Sequence, residues 1–217
     1  MTFKRKEQIG ECTLYLGDCM DVMPTLGRVD AVVTDPPYGI GEAAGKNKSR
    51  GKLAKATDYG DKSWDDKPPP KEAFKTVQDI STSQIIFGGN YYPLPPTDCW
   101  LVWDKVNGKN DFADCELAWT NLKKAVRKIE WMWNGMLRRG DDVRKHPTQK
   151  PVGVMKWCLE QLPEKAETVL DPFMGSGTTG VACAEMDKQF IGIELDEEYF
   201  DIACKRIDDA YKQGRLF

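Results

Sequence analysis

The chain has 217 residues, 41% hydrophobic and 30% charged with a net charge of −3, which suits one domain, residues 1–217, large enough to bury a substantial core. No apolar run approaches the length needed to span a bilayer, and Met1-Thr2-Phe3-Lys4-Arg5-Lys6 has no apolar segment behind it, so neither a membrane partner nor a secretory leader is expected and a cytoplasmic protein is. Seven cysteines without a Cys-x-x-Cys pair and a single histidine, His146, argue against a zinc site, so the thiols read as reduced space-fillers and no metal is expected.

In chain order, residues 12–16 form a short apolar strand, followed by a second apolar run, Val29-Asp30-Ala31-Val32-Val33-Thr34, that ends in Asp35-Pro36-Pro37-Tyr38. The two prolines lack backbone donors and hold φ fixed, so the carbonyl oxygens and the Asp35 carboxylate can project as acceptors while Tyr38 offers a ring face. That set suits a flat, amino-bearing ring such as a nucleobase turned out of its helix, although an ordinary strand exit into a rigid turn has the same composition. Residues 39–66 are rich in Gly and Lys, with Pro68-Pro69-Pro70 behind them, and read as a long mobile loop. The loop holds Lys46, Lys48, Arg50, Lys52 and Lys55, and no acid lies between residues 43 and 57.

Residues 71–80 place Ala73, Phe74, Val77 and Ile80 at helical spacing, and residues 83–87 and 99–103 read as strands. A second basic cluster follows, with Lys123, Lys124, Arg127 and Lys128, then Arg138, Arg139, Arg144 and Lys145 around two acids. Residues 152–162 return to helical spacing, residues 168–170 and 190–193 read as strands around a helix starting near Ser176, and residues 198–212 form a final amphipathic helix. Acids concentrate in this last third, so one basic and one acidic face fit the small net charge, as does solvated charge on loops. Strands alternating with helices imply an α/β sheet, largely parallel.

Directly after the strand at 168–170 comes Asp171-Pro172-Phe173-Met174-Gly175-Ser176-Gly177-Thr178-Thr179-Gly180, in which Gly175, Gly177 and Gly180 satisfy G-x-G-x-x-G. Glu194 ends the next strand about 20 residues on, where an acid accepts from ribose hydroxyls. The context points to an adenosine-containing cofactor. Phe173, Met174 and the Thr178-Thr179 pair favour S-adenosylmethionine over a nicotinamide dinucleotide, and no hydride-transfer constellation surrounds His146.

With these residues in hand, the chain resembles the DNA amino-methyltransferases that modify adenine N6 or cytosine N4, in the permuted group whose catalytic motif precedes the cofactor motif. Asp35-Pro36-Pro37-Tyr38, His146-Pro147-Thr148-Gln149-Lys150-Pro151 and residues 171–179 carry the resemblance, in that order. It implies a Rossmann-like, circularly permuted, mostly parallel seven-stranded sheet, entered at its third strand and finished with its first two. It also implies that Asp35, Pro36, Pro37 and Tyr38 hold the amino group and ring of the base. Asp171, Phe173, Gly175, Ser176, Gly177 and Thr178 would line the methionine side of S-adenosylmethionine, Glu194 would hold its ribose, and Asp18 would accept from its adenine amine. Thr148, Gln149 and Lys150 would close over the methionine carboxylate. Asp18 also reads as the cap of a helix at residues 19–23, and His146-Pro147 as a helix start.

In this family an acid at the first motif position implies N6 of adenine, with N4 of cytosine the alternative. An RNA or protein methyltransferase, a binding module on the same fold and a nicotinamide-dependent oxidoreductase are further alternatives. The segment where larger members carry a recognition region is here only about residues 134–145, too short for a reading domain. DNA is the expected partner, gripped by Lys46, Lys48, Arg50, Lys52, Arg138 and Arg139, with a companion restriction nuclease or a second copy as further partners.

Overall fold

The computed structural model describes residues 2–39, 68–107, 113–134, 137–138 and 149–214. Its apolar runs pair into one large sheet. The strands are β1 (Arg5–Ile9), β2 (Cys12–Leu16), β3 (Val29–Thr34), β4 (Ser81–Phe87), β5 (Trp100–Asp104), β6 (Cys115–Thr120), β7 (Arg127–Glu130), β10 (Thr168–Asp171) and β11 (Gln189–Glu194). A separate pair, β8 (Trp133–Asn134) and β9 (Leu137–Arg138), follows β7. The order across the large sheet is β1-β2-β11-β10-β3-β4-β6-β5-β7. From β2 to β4 all neighbours are parallel, whereas β6 runs antiparallel to both β4 and β5, and β1 antiparallel to β2.

The expected seven strands are therefore the stretch from β2 to β5, and nine are present because β1 and β7 add one to each edge. Both edge strands are charged, Arg-Lys-Glu-Gln-Ile and Arg-Lys-Ile-Glu, with outward faces exposed, so neither carries the apolar signature of a strand. Charge on an edge discourages pairing with another chain.

Helices cover both faces. α1 (Cys19–Val22) and α2 (Lys71–Ile80) lie on one side; α3 (Val152–Gln161), α4 (Thr178–Glu185) and α5 (Glu197–Gly214) lie on the other. The period of two along a strand divides each buried strand between these layers: Ala31 and Val33 face the α3–α5 side and Val32 the other, as do Ile85 and Phe87 against Ile86. Burying each of the Val, Ile and Phe side chains among these contributes roughly 1.5–3 kcal/mol. α2 starts at Pro70, whose φ of −62° suits a helix start, and buries Ala73, Phe74 and Val77. α4 carries small, buried residues from Thr178 to Ala184 because it is sandwiched: a Cβ on Gly180 would meet Ile207 Cδ1 at 2.5 Å and the Phe190 ring at 2.8 Å.

The chain leaves β3 for β4 on one side and β10 for β11 on the other, although β3 and β10 are neighbours. This is the topological switch point, where the loops beyond the carboxyl ends diverge and open a crevice. Asp35 to Tyr38 follow β3 and the glycine-rich turn follows β10, so both motifs arrive at the same crevice.

Candidate active site

The turn after β10 is held from three directions. Met174 N–H donates to Ile193 O at 3.0 Å, tying the turn to β11. Gly175 and Gly177 take φ of +51° and +78°, and a Cβ on Gly177 would sit 2.8 Å from Ala203 Cβ of α5. From α5, Arg206 donates to Ser176 O at 2.7 Å, Ser176 Oγ at 3.0 Å and Thr178 Oγ1 at 3.1 Å. Nothing in the local sequence around Arg206 signals that task.

Two carboxylates anchor this half. Glu194 accepts from Gly175 N–H through Oε2 and from Asp196 N–H through Oε1, both at 2.8 Å. Burial pushes its carboxyl up to about 7, against the pull of these backbone donors. Asp171 accepts from the Thr34 hydroxyl at 2.6 Å, the Thr179 hydroxyl at 2.6 Å and Phe173 N–H at 3.1 Å. Burial raises its carboxyl to about 6, with the two threonines pulling it down. The bond from Thr34, the last residue of β3, links the two motifs directly.

On the other half, Asp35 accepts from Tyr38 Oη at 2.7 Å through Oδ1, and its Oδ2 lies 2.5 Å from Lys150 Nζ. The Tyr92 hydroxyl reaches both Pro36 O and Pro37 O at 3.0 Å, fixing the carbonyls of the motif. Tyr38 is stacked on Tyr91, with centroids 5.0 Å apart and planes 18° from parallel, and a Cβ on Gly88 would lie 2.3 Å from the Tyr38 ring. Gly88 has φ of +65°, so both its backbone and its neighbour call for glycine. Gly88, Tyr91 and Tyr92 escaped the sequence reading; the Gly88-Gly89 pair directly after a strand was the available signal.

Between the two halves lies a cavity of about 380 Å³, within the range of small-molecule sites. Asp18, Asp35, Pro37, Gln149, Lys150, Asp171, Phe173, Gly175, Ser176, Thr178 and Glu194 line it, so most of the expected site residues are brought together. Pro36, Tyr38 and Gly177 are not among its lining residues. Asp18 does both things considered for it: its Oδ1 caps α1 by accepting from Met20 N–H at 2.8 Å, and it lines the cavity. Pro68, Pro69 and Pro70 also line it, where the sequence suggested only the tail of a loop.

Lys150 lines the cavity, and its ammonium is engaged by Asp35 and, at 3.0 Å, by Glu116 Oε2. Burial opposes the charged form of Lys150, and the two carboxylates more than offset this and raise its pKa. Thr148, Lys46, Lys48, Arg50, Lys52 and Arg139 lie outside the described residues, and Arg138 is described only as backbone in β9, paired with Trp133.

Among the described residues the wall of this cavity is acidic, with Asp18, Asp35, Asp171 and Glu194 against one cation, the already paired Lys150. It suits an adenosine ligand carrying positive charge and disfavours a pyrophosphate. The Glu194 carboxylate faces backbone donors of Gly175, Leu195 and Asp196, and its two oxygens together have acceptor capacity beyond these for a hydroxyl. Among the described residues no group of three His, Cys, Asp or Glu could hold a metal ion, and no helix is long and apolar enough to cross a membrane.

Comparison with known proteins follows this geometry. The sequence model of the N6/N4 methyltransferases, a family described as DNA methylase, matches residues 64–205. The chain is 36% identical over 154 residues to the Type II methyltransferase M2.LlaDCHI of Lactococcus lactis subsp. cremoris, covering 66% of this chain and 55% of that protein. It is 23% identical over 223 residues to the Type II methyltransferase M.HpaI of Haemophilus parainfluenzae, covering 84% and 69%. It thus spans about half the length of M2.LlaDCHI. Among solved structures, the M1.HpyAVI–SAM complex aligns with a TM-score of 0.57 at 26% identity, over 90% of this chain and 99% of that one. The cytosine-N4-specific PvuII DNA methyltransferase aligns with a TM-score of 0.56 at 16% identity, over 97% and 95%, a likeness of fold alone.

Proposed function

The chain belongs to the DNA methylase family, and from that premise we propose that it transfers the methyl group of S-adenosylmethionine to the exocyclic N6 of adenine in DNA. One observation carries the proposal: the Asp35 carboxylate and the Gly175–Glu194 hydrogen bond flank one cavity, so an amino-group acceptor and a ribose acceptor face a shared volume. Glu194 would hold the ribose hydroxyls, Asp18 the adenine amine, and Asp171 and Phe173 the methionine end. Gln149, whose Oε1 lies 3.4 Å from Ser176 Oγ, would close that end together with Thr148.

Bound there, S-adenosylmethionine supplies a sulfonium methyl group, a strong electrophile. An exocyclic amino nitrogen is a poor nucleophile because its lone pair is delocalised into the ring. The Asp35 carboxylate and the Pro36 carbonyl would accept its two hydrogens and turn the lone pair out of the ring plane. Both retain acceptor capacity beside the Tyr38 and Tyr92 hydroxyls that orient them. As positive charge grows on the nitrogen, the fixed Asp35 carboxylate stabilises it and holds the departing proton in a hydrogen bond. Turning the base out costs a few kcal/mol, and aromatic stacking in the Tyr38 region, at about 1–3 kcal/mol per base, offsets much of this.

Asp35 at the first motif position supports adenine. N4 of cytosine presents the same amino group to the same acceptors and is the alternative outcome of the test. Lys46, Lys48, Arg50, Lys52, Arg138 and Arg139 are proposed to contact the DNA backbone, with sequence preference short, or supplied by the loop at 39–66 or by a partner. The Type II names of the relatives support a companion nuclease, and a cytoplasmic site of action suits a DNA substrate. The test is incubation with plasmid DNA and methyl-labelled cofactor, followed by base analysis, with Asp35→Ala alongside. Label in N6-methyladenine that the variant loses supports the proposal. Unlabelled DNA, or equal labelling by Asp35→Ala, overturns it.

A further inference from the structure

Three buried or half-buried charges from three different segments line up behind Asp35. Lys105, just beyond β5, lies 2.6 Å from Glu116 Oε1; Glu116 Oε2, on β6, lies 3.0 Å from Lys150 Nζ; and Lys150 lies 2.5 Å from Asp35 Oδ2. Side-chain exposure is 6% for Lys150, 18% for Asp35 and 22% for Glu116, so water screens this chain poorly. The Lys150 ammonium also stands over the Phe87 and Tyr38 rings, 5.1 and 5.7 Å from their centroids. The Glu116 Oε2 contact is an ion pair without hydrogen-bond alignment, whereas the Asp35 contact is an aligned hydrogen bond.

We propose that Lys150 and Glu116 are positioning residues of the acceptor site: Lys150 holds Asp35 as a hydrogen-bond-accepting carboxylate, and Glu116 holds Lys150 and sets how strongly it does so. The proposal rests on the methyltransferase reading above and assigns Lys150 to the base rather than to the cofactor. A protonated Asp35 would present a donor to an amino group that is itself a donor, and the acceptor pair would be lost. Burial drives Asp35 toward that form; Lys150 opposes it, and Glu116 acts with burial. The other groups facing Asp35 are Tyr38 from its own segment and Asp171 from β10, with Lys105 one step further behind Glu116. Glu116 is held down to about 2: burial alone would raise its pKa, but Lys150 and Lys105 outweigh it. It therefore stays ionised throughout the working range.

The two partners act on Asp35 with opposite sign, and this gives the test. The rate kcat is measured from about pH 5 to about pH 9 with DNA and cofactor saturating, for wild type, Lys150→Met and Glu116→Gln, so that the acid limb reports Asp35 in the loaded enzyme. Affinity for S-adenosylhomocysteine is measured by calorimetry on the same proteins. Lys150→Met is expected to move the acid limb up by about one pH unit or more, and Glu116→Gln to move it down. The affinity is expected to change by less than about threefold in either variant, the size of an indirect effect. The proposal is overturned if both limbs stay or move the same way, or if Lys150→Met instead weakens S-adenosylhomocysteine by more than about tenfold, as a contact to the methionine carboxylate would. Should Lys150→Met fail to fold by circular dichroism, Glu116→Gln decides alone: a downward shift supports the proposal and any other result overturns it. A wild type that labels no DNA overturns the methyltransferase reading itself, whereas an active wild type with unresponsive variants overturns only this inference.

Discussion

With Glu194 holding the ribose as proposed, ligand binding is expected to depend on pH, and the size of the effect follows from the surroundings of this carboxyl. Burial raises its carboxyl from 4.5 to about 7 while two backbone N–H groups hold its oxygens. Ribose hydroxyls donating to the carboxylate stabilise the ionised form, so binding draws on the ionised fraction and releases a proton. With a pKa near 7 that fraction is about 0.9 at pH 8 and about 0.1 at pH 6, which weakens S-adenosylhomocysteine by roughly tenfold on acidification. At pH 7 binding should release about half a proton, readable by calorimetry in two buffers of different ionisation enthalpy. Folding responds with the opposite sign. Because the folded pKa lies above the ordinary value, Glu194 favours the native state most below about pH 4.5, and that contribution, about 3 kcal/mol, is lost as pH rises through about 7. The unliganded protein should therefore melt at lower temperature at pH 8 than at pH 6, and S-adenosylhomocysteine should restore the difference. A flat affinity from pH 6 to pH 8, or the same proton release from Glu194→Gln, would refute the reasoning.

Gly88→Ala combines a φ of +65° with a Cβ 2.3 Å from the Tyr38 ring, so it should destabilise the fold by about 1–3 kcal/mol and displace Tyr38. Methylation should fall while S-adenosylhomocysteine affinity stays, which thermal melts and calorimetry would check. Replacing Lys46, Lys48 and Arg50 together with alanine should weaken DNA binding and flatten its salt dependence, with cofactor binding unchanged; a fluorescence titration at several salt concentrations measures this.

Much of the site was legible because its chemistry is local. Asp35-Pro36-Pro37-Tyr38 at a strand end and the glycine turn at 175–180 are each defined within a few residues by backbone requirements and donor removal, and Glu194 follows one strand later as an acid at its end. Elements whose signal is an apolar period, such as β3, β4, β10, α2 and α3, were placed within one or two residues. β1 and β7 were not, since edge strands spend their side chains on solvent and charge. The start of α4 fell two residues later than expected, because the αL conformation of Gly177 delays the helix.

The residue types expected at the site could be read from the chain alone, because prolines, glycines and acids act through their own covalent character. Which groups stand beside them depends on how the chain folds. The adjacency of β3 and β10, which lets Thr34 bond Asp171, comes from strand order. The antiparallel course of β6 carries its amino end, and with it Glu116, to the same edge as the carboxyl ends of β3 and β4, 81 residues along the chain from Asp35. That is why the sequence shows Lys150 as a cation in the site, while its pairing with Asp35 and Glu116 emerges only in the fold. A charge declares its sign in the sequence, and its partner is chosen by burial, which makes the nearest opposite charge the only affordable one.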